Sequence, residues 1–238
     1  GLGSLKGHLK GSLKFNDDSD LSVSYKIAKA GFNDKQTGLP YRNIDGLLEI
    51  KHEKRLDKEG GYKAPWEIIY SGFKGQFGDG VISSLQGNII LDDNTPSIKS
   101  SARLSINAKS IPKLLSNRLG KKWLSNLQKV NFIDGQIIVD FYRNSPVLKD
   151  QWGNYNADLE FKDVAFNFHN SSATIRKVSG NANISDEKIL LQKLVGNWGK
   201  SPFQIEGAIN RLTHKNPSFD LTIDSSKLTP ANLPQTPF

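Results

Sequence analysis

The sequence predicts a mainly β protein built as a long antiparallel sheet with one short helical interruption. Three observations carry that prediction: period-2 alternation, turn chemistry between the alternating runs, and glycines that open successive strands. Leu21, Val23, Tyr25 and Ile27 alternate with Ser22, Ser24 and Lys26, and the pattern lapses at Ala28. Ala102, Leu104, Ile106 and Ala108 alternate with Arg103, Ser105, Asn107 and Lys109, and Ala157, Leu159 and Phe161 with Asp158, Glu160 and Lys162. Phe203, Ile205 and Ile209 share one parity, as do Phe219, Leu221 and Ile223. In an extended chain such spacing sends one set of side chains to each face. The expectation is half-buried antiparallel strands.

Turn residues punctuate the runs at Asn16-Asp17-Asp18, Gly60-Gly61, Asp92-Asp93-Asn94, Gly153-Asn154, Ser185-Asp186-Glu187 and Lys215-Asn216-Pro217. They divide the chain into about eleven to thirteen strands, joined mostly by hairpins. A glycine followed at +2 by an aliphatic residue recurs at Gly7, Gly11, Gly46, Gly87, Gly135 and Gly207, with Gly180-Asn-Ala182-Asn-Ile184 as a longer variant. Glycine inside a strand marks sheet coiling or close approach of a neighbouring backbone.

The helical exception lies at about 111–130. Pro112 fits a first helical turn, and Ser110 is placed to cap it. Leu115, Leu119, Trp123 and Leu127 recur at i, i+4, and Val130 follows three further on. Lys113, Arg118, Lys121, Lys122 and Lys129 fall mostly off that stripe, and Gly120 is a point where the segment splits. Such a helix suits an anionic membrane surface. A plug at one end of the sheet is the preferred reading.

The chain has 238 residues, enough for one elongated β domain or two compact ones. The unbroken strand rhythm favours a single domain over 1–229, with 230–238 a Pro-rich tail or linker. An apolar share of 37% is low for a globular protein, yet regularly spaced, as in a sheet with one wet face. The absence of Met and a glycine at position 1 predict a segment of a longer parent. No apolar run reaches the roughly 18 residues that span a bilayer. With no cysteine there is no disulfide, thiolate metal site or cysteine nucleophile. The net charge of +8 favours phosphate-bearing partners such as lipid headgroups.

Catalytic constellations do not assemble from the sequence. His8, His52, His169 and His214 are scattered, and His52-Glu53 lacks the second histidine of a zincin helix. Gly199-Lys200-Ser201 ends like a phosphate loop, but the earlier glycine would fall at Leu194 and Pro202 opens a strand. Asp17, Asp18 and Asp20 read as a hairpin turn rather than a calcium loop. Trp66, Tyr70, Phe73, Lys74 and Phe77 read as core packing with a solvated face rather than a base-stacking platform, and no nucleic-acid partner is expected. The expectation is a protein that is not an enzyme and needs neither metal nor cofactor.

The stretch Val178–Ile184, then Ile189–Gly199, then Phe203–Ile209 resembles the strand–turn–strand unit of the AsmA-like proteins of the Gram-negative envelope, including the YhdP and TamB type. The family's "L-x-G-x-x-G" is matched by Leu194, Gly196 and Gly199. The segment Ile111–Gly135, a Pro-started helix leading into a Gly-bearing strand, is similar too. The likeness is clearest over the last sixty or so residues. It implies an elongated, twisted sheet curled into an open, taco-like groove. It also implies a bridge-like protein that carries phospholipid between the inner and outer membranes, in the periplasm, with the parent anchored in the inner membrane.

The lining expected for such a groove is Val23, Tyr25, Ile27, Leu48, Ile50, Leu104, Ile106, Ile137, Val139, Leu159, Phe161, Ile205, Ile209, Leu221 and Ile223. Two other functions fit a β-rich chain: a scaffold whose open edges pair with outer-membrane protein strands, and a carbohydrate-binding β-sandwich with two closed sheets.

Overall fold

The computed structural model describes residues 6–16, 20–34, 38–52, 55–56, 62–63, 65–91, 96–115, 129–146, 154–169, 174–210 and 218–226. Its strands are β1 (Lys6–Asn16), β2 (Asp20–Asn33), β3 (Pro40–His52), β4 (Arg55–Leu56), β5 (Tyr62–Lys63), β6 (Trp66–Phe77) and β7 (Gly80–Leu91). After β8 (Ser97–Asn107) come a 3-10 turn (Ala108–Ser110) and the helix α1 (Ile111–Leu115). The strands β9 (Val130–Pro146), β10 (Tyr155–Phe168), β11 (Thr174–Ser185), β12 (Lys188–Trp198), β13 (Ser201–Asn210) and β14 (Ser218–Asp224) complete the chain.

Twelve strands form one sheet in the order β1-β2-β3-β6-β7-β8-β9-β10-β11-β12-β13-β14, and β4-β5 is a separate ribbon. Apart from that ribbon, chain order equals sheet order, as hairpin connections require. The sheet is antiparallel and does not close: β1 and β14 lie at opposite ends of the order. The mainly β, antiparallel architecture read from alternation is therefore observed, and the sheet is open, with strands of up to seventeen residues. Of the helical segment, only the first turns are described. Asn107 Oδ1 accepts from the Lys109 amide at the start of the 3-10 turn. Leu119, Trp123 and Leu127 lie outside the described residues.

By contact density the chain divides into two units, 1–104 with 140–156, and 105–139 with 157–238. In the first, the buried apolar residues are Ala30, Leu39, Ile44, Phe77 and Ile82. Across β2, β3 and β6, Phe32 stacks on Tyr41 at 4.5 Å between centroids, and Tyr41 on Phe77 at 6.1 Å. In the second, Ala108, Ile137, Val164, Ile175, Val178 and Phe203 form one cluster. Ile111 of α1 and the rings of Phe132, Phe166 and Trp198 pack against it. The rest of the segment expected to plug one end of the sheet, from residue 116 to 128, lies outside the described residues.

One device recurs along the sheet. Lys29, Asn43, Gly72, Asp163, Lys177 and Lys193 have φ between 50° and 63°, the left-handed region. Pairing slips at five of these positions: between Ile27 and Ala30, Arg42 and Asp45, Tyr70 and Phe73, Arg176 and Ser179, and Leu191 and Leu194. These are β-bulges, each inserting one extra residue and bending its strand. Around five of the six the order is apolar, polar, left-handed, apolar: Tyr41-Arg-Asn43-Ile44, Tyr70-Ser-Gly72-Phe73, Phe161-Lys-Asp163-Val164, Ile175-Arg-Lys177-Val178 and Leu191-Gln-Lys193-Leu194; Ile27-Ala-Lys29-Ala30 has alanine in the second place. The extra residue shifts the parity of alternation, so apolar residues on both sides of the bulge keep to one face. Two bulge amides are tied to the next strand. Lys29 N donates to Asp45 Oδ1 at 3.0 Å, and Asp163 N to Ser179 Oγ at 3.2 Å.

The glycine recurrence is the complement of these kinks. A Cβ built on Gly135 would lie 2.4 Å from Val164 Cα, beside the Asp163 bulge, and one on Gly180 2.5 Å from the Lys193 carbonyl oxygen. At Gly207 and Gly87 it would lie 2.1 Å from the carbonyl oxygens of Asp220 and Lys99. Close backbone approach, expected from the sequence, is the observed reason for these four. Rings cover others: Phe73 lies over Gly46 and Phe203 over Gly196, the way aromatic side chains shield strand glycines.

Two alanine substitutions separate the contributions. Gly72→Ala, at φ +63 with open space around it, should cost about 1–2 kcal/mol for its left-handed backbone alone. Gly135→Ala adds a backbone clash to φ +104 and should cost more than about 3 kcal/mol. Equal denaturant midpoints for the two variants would contradict the bulge-and-glycine account.

Candidate functional site

The first unit carries an apolar face set in rows by strand register. Val23 of β2 pairs with Ile50 of β3, Ile50 with Ile68 of β6, and Ile68 with Ile89 of β7. A parallel row runs Tyr25, Leu48, Tyr70, Gly87, and a third Leu21, His52, Trp66, Leu91. Directly opposed residues share a face, so these rows make one surface four strands wide. In β1 the register sets Leu13 opposite Val23 and Gly11 opposite Tyr25.

The other face is mostly polar, with rows Ser24, Glu49, Ile69, Asn88 and Ser22, Lys51, Glu67, Ile90. Here Asn88 Nδ2 donates to Glu67 Oε1 at 2.6 Å, which satisfies a carboxylate only 7% exposed.

Burial distinguishes two parts of the apolar face. Beyond the bulges of β2, β3 and β6 it is closed over Ala30, Ile44 and Phe77. On the near side every residue of the three rows is half-buried or exposed. Trp66 is 42% and Leu91 44% exposed. Aliphatic side chains in register across four strands are thus left within reach of solvent. Single exposed apolar residues are ordinary, but contiguous ones mark binding surfaces.

The second unit has a similar surface towards its edge. Ile184, Ile189, Ile209 and Phe219 pair across β11 to β14, as do Ala182, Leu191, Gly207 and Leu221, with Leu194, Ile205 and Ile223 alongside. Ala182 is buried, whereas Phe219 is 60% and Ile223 56% exposed.

The expected lining residues therefore divide. Val23, Tyr25, Ile27, Leu48 and Ile50 come together on the open rows of the first unit, where Ile27 opposes Gly46. Ile205, Ile209, Leu221 and Ile223 come together in the second. Ile137 is 6% exposed inside the closed cluster, and Val139, Leu159, Phe161 and also Ile205 pack against it. Leu104 and Ile106 are half-buried in different units.

Sequence reasoning missed Ile68, Ile89, Ile189 and Leu191 as members of the rows. The runs Ile68-Ile69 and Ile89-Ile90-Leu91 are apolar at both parities, so only the register tells which residue shares a face with Ile50. Among the described residues no group of three His, Asp or Glu side chains is placed to hold a metal. None of the described helices is long and apolar enough to cross a membrane. Trp198 Nε1 and Asn167 Oδ1 are buried without a hydrogen-bond partner.

The difference between open rows and closed cluster is measurable by introducing a charge. Ile50→Lys lets its ammonium reach water from a half-buried site and should cost about 1–2 kcal/mol. Val164→Lys, at a position 1% exposed, should cost more than about 4 kcal/mol and unfold its unit. Thermal melts and urea titrations of the two variants check this. No family model, curated protein or solved structure matches the chain.

Proposed function

We propose that the chain is a lipid-holding segment whose apolar rows shield phospholipid acyl chains. The observation that carries this reading is the row Val23–Ile50–Ile68–Ile89, in register across four strands and only half-buried. A diacyl lipid exposes roughly thirty methylenes, at about 0.8 kcal/mol each in water. The total is on the order of 20 kcal/mol, which forbids free diffusion through an aqueous gap. Aliphatic side chains repeated from strand to strand offset that cost. Because they are alike, no single position holds the lipid tightly and sliding is favoured. The phosphate headgroup rides at the wet margin, where the net charge of +8 attracts it.

The resemblance to the AsmA-like proteins supports the same reading and supplies its setting. In that setting the chain is part of a periplasmic bridge anchored in the inner membrane, passing phospholipid between inner and outer membranes. Its role is physical rather than enzymatic, and it needs no cofactor. The single twelve-stranded sheet weighs against a carbohydrate-binding sandwich, which requires two sheets.

Site-specific photocrosslinking tests the proposal. A photoreactive phenylalanine at Ile68, in protein expressed in Gram-negative cells, should yield phospholipid adducts by mass spectrometry. The same group at Lys51 or Ser24, among polar neighbours on the other face, should yield roughly tenfold fewer. Equal labelling from both faces would overturn the reading. So would adducts to polypeptide in place of lipid, which is the outcome expected of an assembly scaffold.

A further inference from the structure

The open rows of the first unit are not alike, and their differences run in one direction. The row Leu21, His52, Trp66, Leu91 lies at strand ends: His52 closes β3, Trp66 opens β6 and Leu91 closes β7. It is the most exposed of the three, with Trp66 at 42% and Leu91 at 44%. The next row, Val23, Ile50, Ile68, Ile89, is half-buried throughout, as is the row Tyr25, Leu48, Tyr70, Gly87. Beyond the bulges Ala30 and Ile44 are buried. Exposure thus falls along the strands from the Trp66 end to the bulge line.

Side-chain chemistry follows the same gradient. Both nitrogen-bearing rings of the three rows stand in the first, where His52 and Trp66 lie 4.6 Å apart between centroids at 41°. Rings with an apolar body and one polar edge settle where an apolar phase meets water. The second row is purely aliphatic. In the third, the Tyr70 hydroxyl is turned onto Gly87, where a Cβ would lie 2.7 Å from it. Length agrees as well. Leu21 to Tyr25 is four residues, about 14 Å of strand. One leaflet of a bilayer's hydrocarbon core is about 15 Å deep.

We infer that a diacyl phospholipid lies on this face with fixed polarity, its glycerol and phosphate at the His52–Trp66 row and its acyl tails along the strands towards the bulges. The inference rests on the lipid-holding reading and adds a direction to it. Turned the other way, the phosphate would meet the third row and the buried region beyond it, where an unpaired charge is costly. The tails would then extend past Trp66 into water. Laid across the strands, the lipid would bring its phosphate level with its tails, beside Val23 or Ile89, with no polar ring to meet it. The chain's surplus of cations favours an anionic headgroup at the exposed end.

Tryptophan quenching by phosphatidylglycerol brominated on its acyl chains tests this in the full chain, loaded from vesicles and freed of them by gel filtration. Trp66, Trp123, Trp152 and Trp198 are the tryptophans of the sequence. With Trp123, Trp152 and Trp198 replaced by phenylalanine, bromine near the carbonyl should quench Trp66 about twofold more than bromine near the terminal methyl, given the roughly 14 Å between the outer rows. In the same background, Trp66→Tyr with Tyr25→Trp should reverse that order. Trp198 packs against the cluster of the second unit. Should its replacement unfold the protein, it stays, and the signal of the Trp66→Phe protein is subtracted.

A further variant separates the rings from mere position. Trp66→Leu with His52→Leu removes both polar rings, and the reporter at position 25 should then be quenched about equally by the two lipids. Circular dichroism and melting temperature check that each variant is folded. Equal quenching of Trp66 by the two lipids, the opposite order, or a preference that survives loss of both rings would overturn the inference while leaving the lipid-holding reading standing. Wild-type protein that leaves gel filtration without phosphatidylglycerol would sink both.

Discussion

Side-chain parity is the constraint on which this structure depends. Each step along a strand crosses to the other face, so one inserted residue turns every following side chain outward. Strands this long, bent by the coiling of the sheet, cannot stay in pure alternation. They take up the strain as bulges, and the sequence changes its phase at each one. The energetic balance is clear in β10. Holding Asp163 at φ 51 costs about 1–2 kcal/mol. In the other parity Val164, Phe166 and Phe168 would leave the core cluster, at roughly 1.5–3 kcal/mol for each. The bulge is the cheaper arrangement by several kcal/mol, even with a non-glycine residue at its head. Tying the bulge amide to Ser179 Oγ lowers its cost further.

Bulges on one strand constrain the next. A kinked backbone moves towards its neighbour, and the neighbour accommodates it only without a Cβ. Gly135 beside Val164 and Gly180 beside Lys193 are that accommodation. Ring-covered glycines are the other form of the same economy: where Gly46 leaves space above the sheet, the Phe73 ring occupies it. At Gly87, Gly135, Gly180 and Gly207 the Gly-x-aliphatic recurrence is therefore a record of where adjacent strands approach.

Fold class was legible because period 2 is a local signal: Leu21 to Ile27 and Ala157 to Phe161 declare strands without reference to anything distant. The phase changes were visible only as lapses. Alternation stops at Ala28 because the bulge at Lys29 begins there, and Ile175 and Val178 fall out of phase because β11 bulges between them at Lys177. Which strands close and which stay open was not legible. Ile137 and Ile50 are chemically the same residue in similar alternating runs, yet one is 6% exposed and the other half-buried. The difference lies in what packs above them, and that depends on contacts between strands far apart in sequence.

What packs above them also explains why the apolar face divides. In the second unit Ile111 of α1 and five aromatic side chains, Phe132, Phe161, Phe166, Phe168 and Trp198, pack against the cluster. In the first, the part beyond the bulges holds the buried Ala30, Ile44 and Phe77 and the cross-strand stack Phe32–Tyr41–Phe77, whereas the rows before them are half-buried or exposed. An aliphatic surface four strands wide facing water costs stability that selection for folding alone would remove, for instance by placing Thr or Lys at Val23, Ile50 or Ile68. The polar face of the same strands, with Ser24, Lys51 and Glu67 at neighbouring positions, demonstrates that the chain can do so. Branched aliphatic side chains retained on these rows are what the proposed lipid-holding role requires, and the bulge line is where buried core gives way to the half-buried rows.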